Sequence, residues 1–197
     1  GDVYKRQDYG RIFSPNEIGK YSNKINTIME RIRKSEGIIM IYSQYISAGC
    51  VPLALALEEM GIQRYGRKSL FKTAPHDPVD YRTLKPKSES GDDFIPETYA
   101  MIRVDNFLSP GNNKFEMSAI TGADNINGEI VKVVIISRAG AEGLDFKNIR
   151  QVHVLEPWYN LNRIEQVIGR AVRTCSHKAL EFSKRNVELY LLQDFLY

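Results

Sequence analysis

The chain has 197 residues, of which 43% are hydrophobic and 26% charged, and its formal net charge is +3 at pH 7. These values indicate one folded α/β domain and exclude a disordered or fibrous chain, while the small positive charge permits contact with nucleic acid without arguing for it. No apolar run reaches membrane-spanning length and the first residues do not form a signal peptide, so neither a membrane partner nor export is expected.

The two ends of the chain decide which residues are assigned to the fold. Residues 2–7 resemble the translated end of a transposon used in sequencing libraries, so residues 1–7 are interpreted as a sequencing or cloning scar and residues 8–197 as the domain. The natural protein is therefore expected to continue upstream. The apolar end at residues 195–197 predicts further sequence downstream as well.

The first predicted elements are a helix, a strand and a second helix. Ser14 opens a capping-box pattern as N-cap, and apolar residues spaced by three and four predict a helix from there to residues 35–37. The continuous apolar run at residues 38–42 predicts a buried parallel strand. Residues 51–60 predict the next helix, which stops at Gly61.

The middle of the chain gives less regular patterns. Glu58 and Glu59 fall within the second helix and are expected to form a solvated face rather than a magnesium site. Scattered prolines, lysines and serines at residues 66–91 predict a mobile surface insertion. Residues 99–104 could form a strand or a helix, and residues 115–121 predict a strand.

Later segments predict the strands of a parallel sheet. Residues 131–137 are the clearest strand of the chain, residues 151–155 are another, and residues 187–192 are a third, placed after a helix at residues 162–173. Because strands alternate with helices, the sequence predicts an α/β fold in which a parallel sheet is covered by helices on both faces.

The helix predicted at residues 162–173 carries a polar stripe. Gln166, Arg170 and Arg173 are spaced by four and three residues, so on a helix they share one face, away from the apolar residues. Such a stripe can present fixed donors to a nucleotide triphosphate, and its arginines can stabilise the charge that develops in phosphoryl transfer. Taken alone, two surface arginines are more often merely solvated.

The loop after the clearest strand is a second candidate ligand site, because ligands of open α/β sheets bind outside the carboxyl ends of strands. Ser137 and Arg138 could hold a nucleic-acid phosphate. Gly143 allows close backbone approach, and Asp145 could accept a ribose hydroxyl. The alternative for this loop alone is an ordinary turn with solvated charges.

Other catalytic patterns are not found in the sequence. His76, His153 and His177 are scattered without a metal-protease spacing, and His153 lies in a strand pattern where a packed or edge histidine is expected. Trp158 and Tyr159 could stack on a base, but their place at a strand end favours packing against the sheet.

The order Gln-x-x-Gly-Arg-x-x-Arg at residues 166–173 resembles the last signature motif of superfamily 2 helicases. Residues 156–160 resemble the Asp-Pro-Trp-Trp-Asn stretch that precedes this motif in the Swi2/Snf2 branch. Residues 38–50 and 137–145 resemble the two earlier motifs of the same lobe, in the same order. The chain therefore resembles the C-terminal lobe of a superfamily 2 helicase, which implies a RecA-like fold, related to that of P-loop NTPases.

In detail the chain resembles the poxvirus-type helicases of large DNA viruses, including the early transcription factor small subunit and the nucleoside triphosphatase I group. The resemblance covers most of the chain from about Gly10, except the Pro-rich insertion. The segments that carry it are residues 41–45, 54–59, 127–132, 141–146 and 173–177. A role in viral transcription, and a place in the virion or host cytoplasm, are what this resemblance implies.

The resemblance also implies a role for single residues. Arg173 matches the arginine finger, and Arg170 and Gln166 match its companions at the γ-phosphate. The positions that match nucleotide-side contacts are Gly143 and Asp145. The positions that match contacts with a nucleic-acid backbone are Ser43, Gln44, Ser137 and Arg138.

Half of an ATPase site is missing from the sequence, which contains neither a phosphate loop nor a strand ending in an acidic pair for Mg²⁺. ATP and Mg²⁺ are therefore expected to bind with an upstream RecA-like lobe of the same protein, which holds most of the metal's ligands. This chain alone is expected to be inactive, and no metal ligand is assigned to it. Its two cysteines imply no disulfide framework and suit an intracellular, reducing compartment.

The sequence thus predicts the C-terminal lobe of an ATP-hydrolysing helicase or translocase that contributes an arginine finger and a nucleic-acid grip. Its expected partners are nucleic acid, with DNA favoured over RNA, the upstream lobe and a viral RNA polymerase. The alternative is a non-catalytic module that docks nucleic acid or protein within a transcription complex. The intact pattern at residues 166–173 speaks against that alternative.

Overall fold

A computed structural model describes residues 10–102, 113–137, 144–157, 161–173 and 175–193, without the side chains of residues 161, 163 and 170. Within this part of the chain, six parallel strands form one sheet in the order β2-β3-β4-β1-β5-β6. The strands are β1 Ile38–Ser43, β2 Gln63–Arg64, β3 Thr98–Ile102, β4 Val133–Ser137, β5 Ile149–Val154 and β6 Glu188–Leu191. The predicted parallel α/β sheet is therefore confirmed, and residues 99–104, left open above, begin as a strand.

Helices connect these strands. The α-helices are α1 Ile18–Tyr21, α2 Asn23–Lys34, α3 Val51–Glu59, α4 Lys87–Ser90, α5 Lys114–Thr121 and α6 Leu161–Ala171. A π-helical turn at Ile46–Cys50 leads directly into α3, and 3-10 turns lie at Gly91–Asp93 and Phe182–Lys184. Gly61 ends α3 as predicted, with the positive φ of 88° that glycine adopts without steric cost.

Apolar residues of the sheet pack on both of its faces. Strands β1 and β4 are buried along their whole length, as expected for central parallel strands covered on two sides. On one face Ile39 and Ile41 pack with the buried residues of α2 and α3. On the other face Met40 packs with buried residues of α5 and α6. The sheet therefore forms the middle layer between two apolar clusters.

The first helix differs from its prediction. Ser22 has extended backbone angles and divides it into α1 and α2, and the Ser22 hydroxyl accepts a hydrogen bond from the Ile25 amide at 3.3 Å. Ser14 contributes only its carbonyl, which accepts from the amides of Glu17 and Ile18. The prediction of Ser14 as N-cap was therefore wrong, because the apolar spacing is continuous across the break and conceals it.

The expectation that Glu58 and Glu59 form a solvated face was also wrong. Both residues are buried, since α3 packs against the sheet on one side and under the Pro-rich segment on the other. Glu58 accepts hydrogen bonds from the Tyr99 hydroxyl at 2.7 Å and the Leu70 amide at 3.0 Å. Glu59 is paired with Arg11. Each carboxylate therefore fastens a neighbouring segment to the core.

Residues 115–121, predicted as a strand, belong to helix α5. The strand prediction was wrong, and the helix buries Glu116 and Ile120 four residues apart. Glu116 is paired with Arg67, and the ring of Phe115 stacks on Tyr65 at 5.1 Å between centroids. Contacts with residues distant in sequence therefore outweigh the local pattern.

The Pro-rich segment at residues 66–91 lies only partly on the surface. Val79 and Asp80 are buried, and both make antiparallel bridges to residues of the same region. The Asp80 carboxylate accepts the amides of Arg82, Thr83 and Ile95 at 2.9 to 3.1 Å. Burial raises the pKa of Asp80, but these hydrogen bonds outweigh it and hold the pKa below its ordinary value. The mobility of this segment stays a prediction.

Candidate nucleotide and nucleic-acid site

The carboxyl ends of β1 and β4 bring two predicted site residues together. Ser43 ends β1 and Ser137 ends β4, and the two are direct partners in the register of the sheet. Both side chains are buried among the described residues, and the Ser137 hydroxyl has no hydrogen-bond partner there. This edge is where ligands of parallel α/β sheets bind, so the arrangement agrees with the position expected for a ligand.

Glu156, which directly follows β5, organises the loop after β1. The Ser43 hydroxyl donates to Glu156 Oε1 at 2.9 Å, and the Gln44 amide donates to Glu156 Oε2 at 3.0 Å. Burial raises the pKa of Glu156, and the hydrogen bonds from Gln44 and Ser43 oppose that rise. Ser43 is therefore bonded within the fold, and any direct contact between its side chain and nucleic acid stays a prediction.

The π-helical turn at Ile46–Cys50 is packed tightly under this loop. A Cβ atom added at Gly49 would lie 1.9 Å from Ser43 Oγ and 3.3 Å from Glu156 Oε1. Only glycine leaves room for the two side chains to meet at that point. Turns of this kind often occur at functional sites, because they displace one residue from the regular helix.

Among the residues predicted to contact nucleic acid, Gln44 has a side-chain donor without a hydrogen-bond partner. It is half-buried, and its Nε2 atom has no hydrogen-bond partner in the described part of the chain. Like the Ser137 hydroxyl, this Nε2 atom is itself buried, so two unpaired donors lie beneath the surface at the carboxyl edge of the sheet. Arg138 and Gly143, predicted for the same region, lie outside the described residues, as do Trp158 and Tyr159.

Asp145 and Arg173 form a second group. Arg173 Nη1 donates to Asp145 Oδ2 at 2.8 Å, and the two side chains are 59% and 60% exposed. The turn that follows Arg173 is docked on the sheet, because the Asn148 amide donates to the carbonyl of Ser176 at 3.0 Å. Asn148 immediately precedes β5, so the pair lies beside the amino end of that strand.

Helix α6 connects the two groups. It begins soon after Glu156 and ends next to Arg173, and its 11 residues span roughly 16 Å. Ile164, Val167 and Ala171 are buried against the sheet, whereas Gln166 is exposed. The helix was predicted to reach residue 173 but ends at Ala171, so the exposed Arg173 lies two residues beyond it, and the side chain of Arg170 lies outside the described residues. Val172, which also follows the last helical residue, is exposed.

The structure therefore gathers the predicted residues at two edges of the sheet. Ser43, Gln44 and Ser137 lie at the carboxyl edge, and Asp145 and Arg173 lie beside the amino end of β5. The sequence reasoning missed Glu156, although a carboxylate directly after an apolar strand would have marked the same edge. Its hydrogen bonds to the loop after β1 cannot be deduced from spacing alone.

The residues present fit an anion better than a metal ion. Gln166 and Arg173 offer exposed donors, as a polyphosphate requires. Among the described residues no group of three or more His, Cys, Asp or Glu side chains is close enough to hold a metal ion. That Mg²⁺ is held mainly by another lobe stays a prediction.

Residues 99–175 match the family described as helicase conserved C-terminal domain. This range contains Ser137, Asp145, Glu156 and the whole of α6, but not Ser43 and Gln44. Over the described residues, no helix is both long and apolar enough to cross a membrane.

Curated viral proteins are similar over most of the chain. A termination factor NPH-I homolog of African swine fever virus is 29% identical, with 86% of this chain and 25% of the relative covered. "Putative ATP-dependent RNA helicase L538" of Acanthamoeba polyphaga mimivirus is 32% identical, with coverage of 88% and 29%. An early transcription factor large subunit homolog of African swine fever virus is 27% identical, with coverage of 88% and 15%. The chain thus spans about a quarter of the length of the first curated relatives that it matches.

A solved structure shares the fold. The C-terminal part of the Fun30 ATPase domain aligns with a TM-score of 0.51 at 13% identity, covering 90% of this chain and 46% of that one. The likeness supports the fold alone. With the family match and the viral relatives, it confirms the predicted RecA-like sheet and the resemblance to the helicases of large DNA viruses.

Proposed function

Because this chain carries a helicase conserved C-terminal domain on a RecA-like sheet, we propose that it is the C-terminal lobe of an ATP-driven nucleic-acid translocase or helicase. ATP binds between this lobe and an upstream lobe of the same protein, which supplies the phosphate loop and most of the Mg²⁺ ligands. The nucleic acid, DNA in preference to RNA, runs along the carboxyl edge of the sheet. The setting is viral transcription, with a viral RNA polymerase as partner.

The observation that carries this proposal is the exposed pair of Asp145 and Arg173. An ion pair open to solvent contributes little to folding, on the order of 0.2 to 1 kcal/mol, so folding alone gives little reason for it. Its two residues lie 28 positions apart and come together on one surface. Arg173 is thereby held at the end of α6 with donors still free for a phosphate.

We assign the roles of single residues as the resemblance to superfamily 2 helicases implies them. Arg173, two residues beyond the end of α6, acts as the arginine finger on the γ-phosphate, with Arg170 and Gln166 of α6 as its companions. Asp145 and Gly143 contact the nucleotide. A bound ATP supplies the phosphoryl group whose developing charge these donors stabilise.

The nucleic-acid grip lies at the other edge. The buried donors of Gln44 and Ser137 have no partner among the described residues and become accessible to backbone phosphates when the strand binds, and Arg138, next in sequence to Ser137, joins them. Ser43 holds the loop rather than the ligand, since its hydroxyl is bonded to Glu156. Closure of the two lobes on ATP and their reopening after hydrolysis move this grip along the strand.

Nucleic-acid stimulation of ATP hydrolysis tests the proposal. The full-length protein that contains this chain is assayed without nucleic acid and with single-stranded DNA, duplex DNA and RNA of the same sequence. We expect one of them to raise the hydrolysis rate severalfold or more, with single-stranded or duplex DNA favoured. Absence of hydrolysis despite an intact upstream phosphate loop would contradict the proposal and favour the docking module.

A further inference from the structure

We infer that Glu156 is a positioning residue for nucleic-acid binding: it fixes the loop that presents Gln44 and ties that loop to the start of α6. This inference rests on the proposed function, since it concerns the same nucleic-acid edge. It adds a residue whose action is indirect, because both Glu156 oxygens are already engaged by Ser43 and Gln44.

The Glu156 carboxylate connects the ends of two neighbouring strands. Glu156 follows β5, whereas its two donors end β1, the neighbouring strand. Its oxygens accept one side-chain donor and one backbone amide, at 2.9 and 3.0 Å. Charge-assisted bonds of this kind are stronger than neutral ones and fix direction as well as distance. The backbone of Gln44 is therefore held in one orientation at the point where its side chain leaves the sheet.

The atoms around the contact between Ser43 and Glu156 are closely packed. Gly49 leaves no room for a Cβ between Ser43 and Glu156. Lys24 Nζ donates to the carbonyl of Leu155 at 3.0 Å, which fixes the residue before Glu156 from the α2 side. Pro157, immediately after it, is buried. Gly49, buried Pro157 and the Lys24 bond to Leu155 therefore restrict the position of Glu156. The buried Gln44 Nε2 atom, in contrast, has no hydrogen-bond partner among the described residues.

Glu156 also lies close in sequence to helix α6. Glu156 lies five positions before Leu161, the first residue of α6. Helix α6 carries Gln166 and leads to Arg173. Glu156 is therefore hydrogen-bonded to the loop that it fixes and close in sequence to the helix that leads to Arg173.

The hydrogen bonds of Glu156 predict that Glu156→Gln keeps the Gln44 loop in place better than Glu156→Ala. The single hydroxyl proton of Ser43 is within reach of both Glu156 Oε1 at 2.9 Å and the Tyr45 carbonyl at 3.1 Å. In Glu156→Gln the new amide group can donate to Ser43 Oγ, while Ser43 donates to Tyr45 and the remaining oxygen accepts the Gln44 amide. Glu156→Ala leaves that amide without an acceptor. Glu156→Gln should therefore retain the oligonucleotide affinity that Glu156→Ala loses.

The test uses the full-length protein and a fluorescently labelled single-stranded oligodeoxynucleotide, with the matching oligoribonucleotide in parallel. We expect Glu156→Ala to raise the Kd for the oligonucleotide about tenfold, because the released Gln44 loop must then be ordered on binding. Glu156→Gln should stay within about twofold of the wild type, since its bonds are retained. The Kd for a fluorescent ATP analogue is measured on the same samples, and its change in Glu156→Ala should be several times smaller. A merely structural role would change both constants together.

Besides equal changes in the two dissociation constants, two results would overturn the inference. One is a Glu156→Ala protein that binds the oligonucleotide as tightly as the wild type. The other is a Glu156→Gln protein as impaired as Glu156→Ala, which would mean that the charge and not the bonding pattern matters. Failure of the wild type itself to bind either oligonucleotide would instead contradict the proposed function, so the two failures are distinguishable.

Discussion

At the scale of single residues, Glu97 is the buried acid with the fewest compensating contacts. Neither of its oxygens has a hydrogen-bond partner in the described region, and the nearest cation, Lys132 Nζ, lies 3.9 Å from Oε1. Lys132 itself donates to the carbonyls of Ser35 and Tyr81. Burial raises the pKa of Glu97 to about 7, which Lys132 partly opposes and Asp80 reinforces. The acid is therefore partly protonated near neutral pH.

This pKa makes the stability of the fold depend on pH. The folded pKa of about 7 lies above the ordinary value of 4.5, so the stabilising proton is fully bound below that ordinary value and is lost as pH rises through 7. We expect the free energy of unfolding to fall between about pH 4.5 and 7 and to level off above that range, by on the order of 1.4 kcal/mol per pKa unit of difference. Glu97→Gln should remove this slope, and exposed Glu30→Gln should keep it. Urea unfolding at several pH values measures it, and an unchanged slope in Glu97→Gln would refute the assignment.

At the scale of elements, the sequence predicted best where burial alone sets the pattern. The central strands β1 and β4 are continuous apolar runs, so their position follows directly from composition. Helix α5 was mistaken for a strand because its placement depends on Arg67 and Tyr65, which lie far away in sequence. Glu58 and Glu59 were mistaken for surface residues because their partners are equally distant.

The start of α2 gives a prediction at this scale. The Ser22 hydroxyl caps the helix by accepting the Ile25 amide, so Ser22→Ala should lower the free energy of unfolding by about 1 kcal/mol. Ser14→Ala is the matched control, because Ser14 takes part through its carbonyl, and it should cost a few tenths of a kcal/mol at most. Chemical denaturation distinguishes them. Equal losses in the two variants would mean that the helix begins at Ser14 after all.

At the scale of the whole molecule, the sequence indicated the identity of the site better than its arrangement. The Gln-x-x-Gly-Arg-x-x-Arg order predicted Gln166 and Arg173 on one stripe, and both are exposed, Gln166 on α6 and Arg173 two residues after its end. That Arg173 meets Asp145 beside the amino end of β5, while Ser137 meets Ser43 at the carboxyl edge, depends on how the chain crosses the sheet. Glu156 begins the stretch that precedes this motif but received no role from the sequence, because its hydrogen bonds to Ser43 and Gln44 depend on the fold.

The measurement that tests the central claim most directly is the ATP hydrolysis rate of the full-length protein with Arg173→Ala. Exposed Arg33→Ala, at the end of α2, is the matched control. The exposed pair with Asp145 contributes little to folding, so we expect the free energy of unfolding to change by no more than about 1 kcal/mol. The nucleic-acid-stimulated rate should fall on the order of 10³-fold in Arg173→Ala and stay near the wild-type value in Arg33→Ala. A folded Arg173→Ala protein that hydrolyses ATP at the wild-type rate would contradict the account.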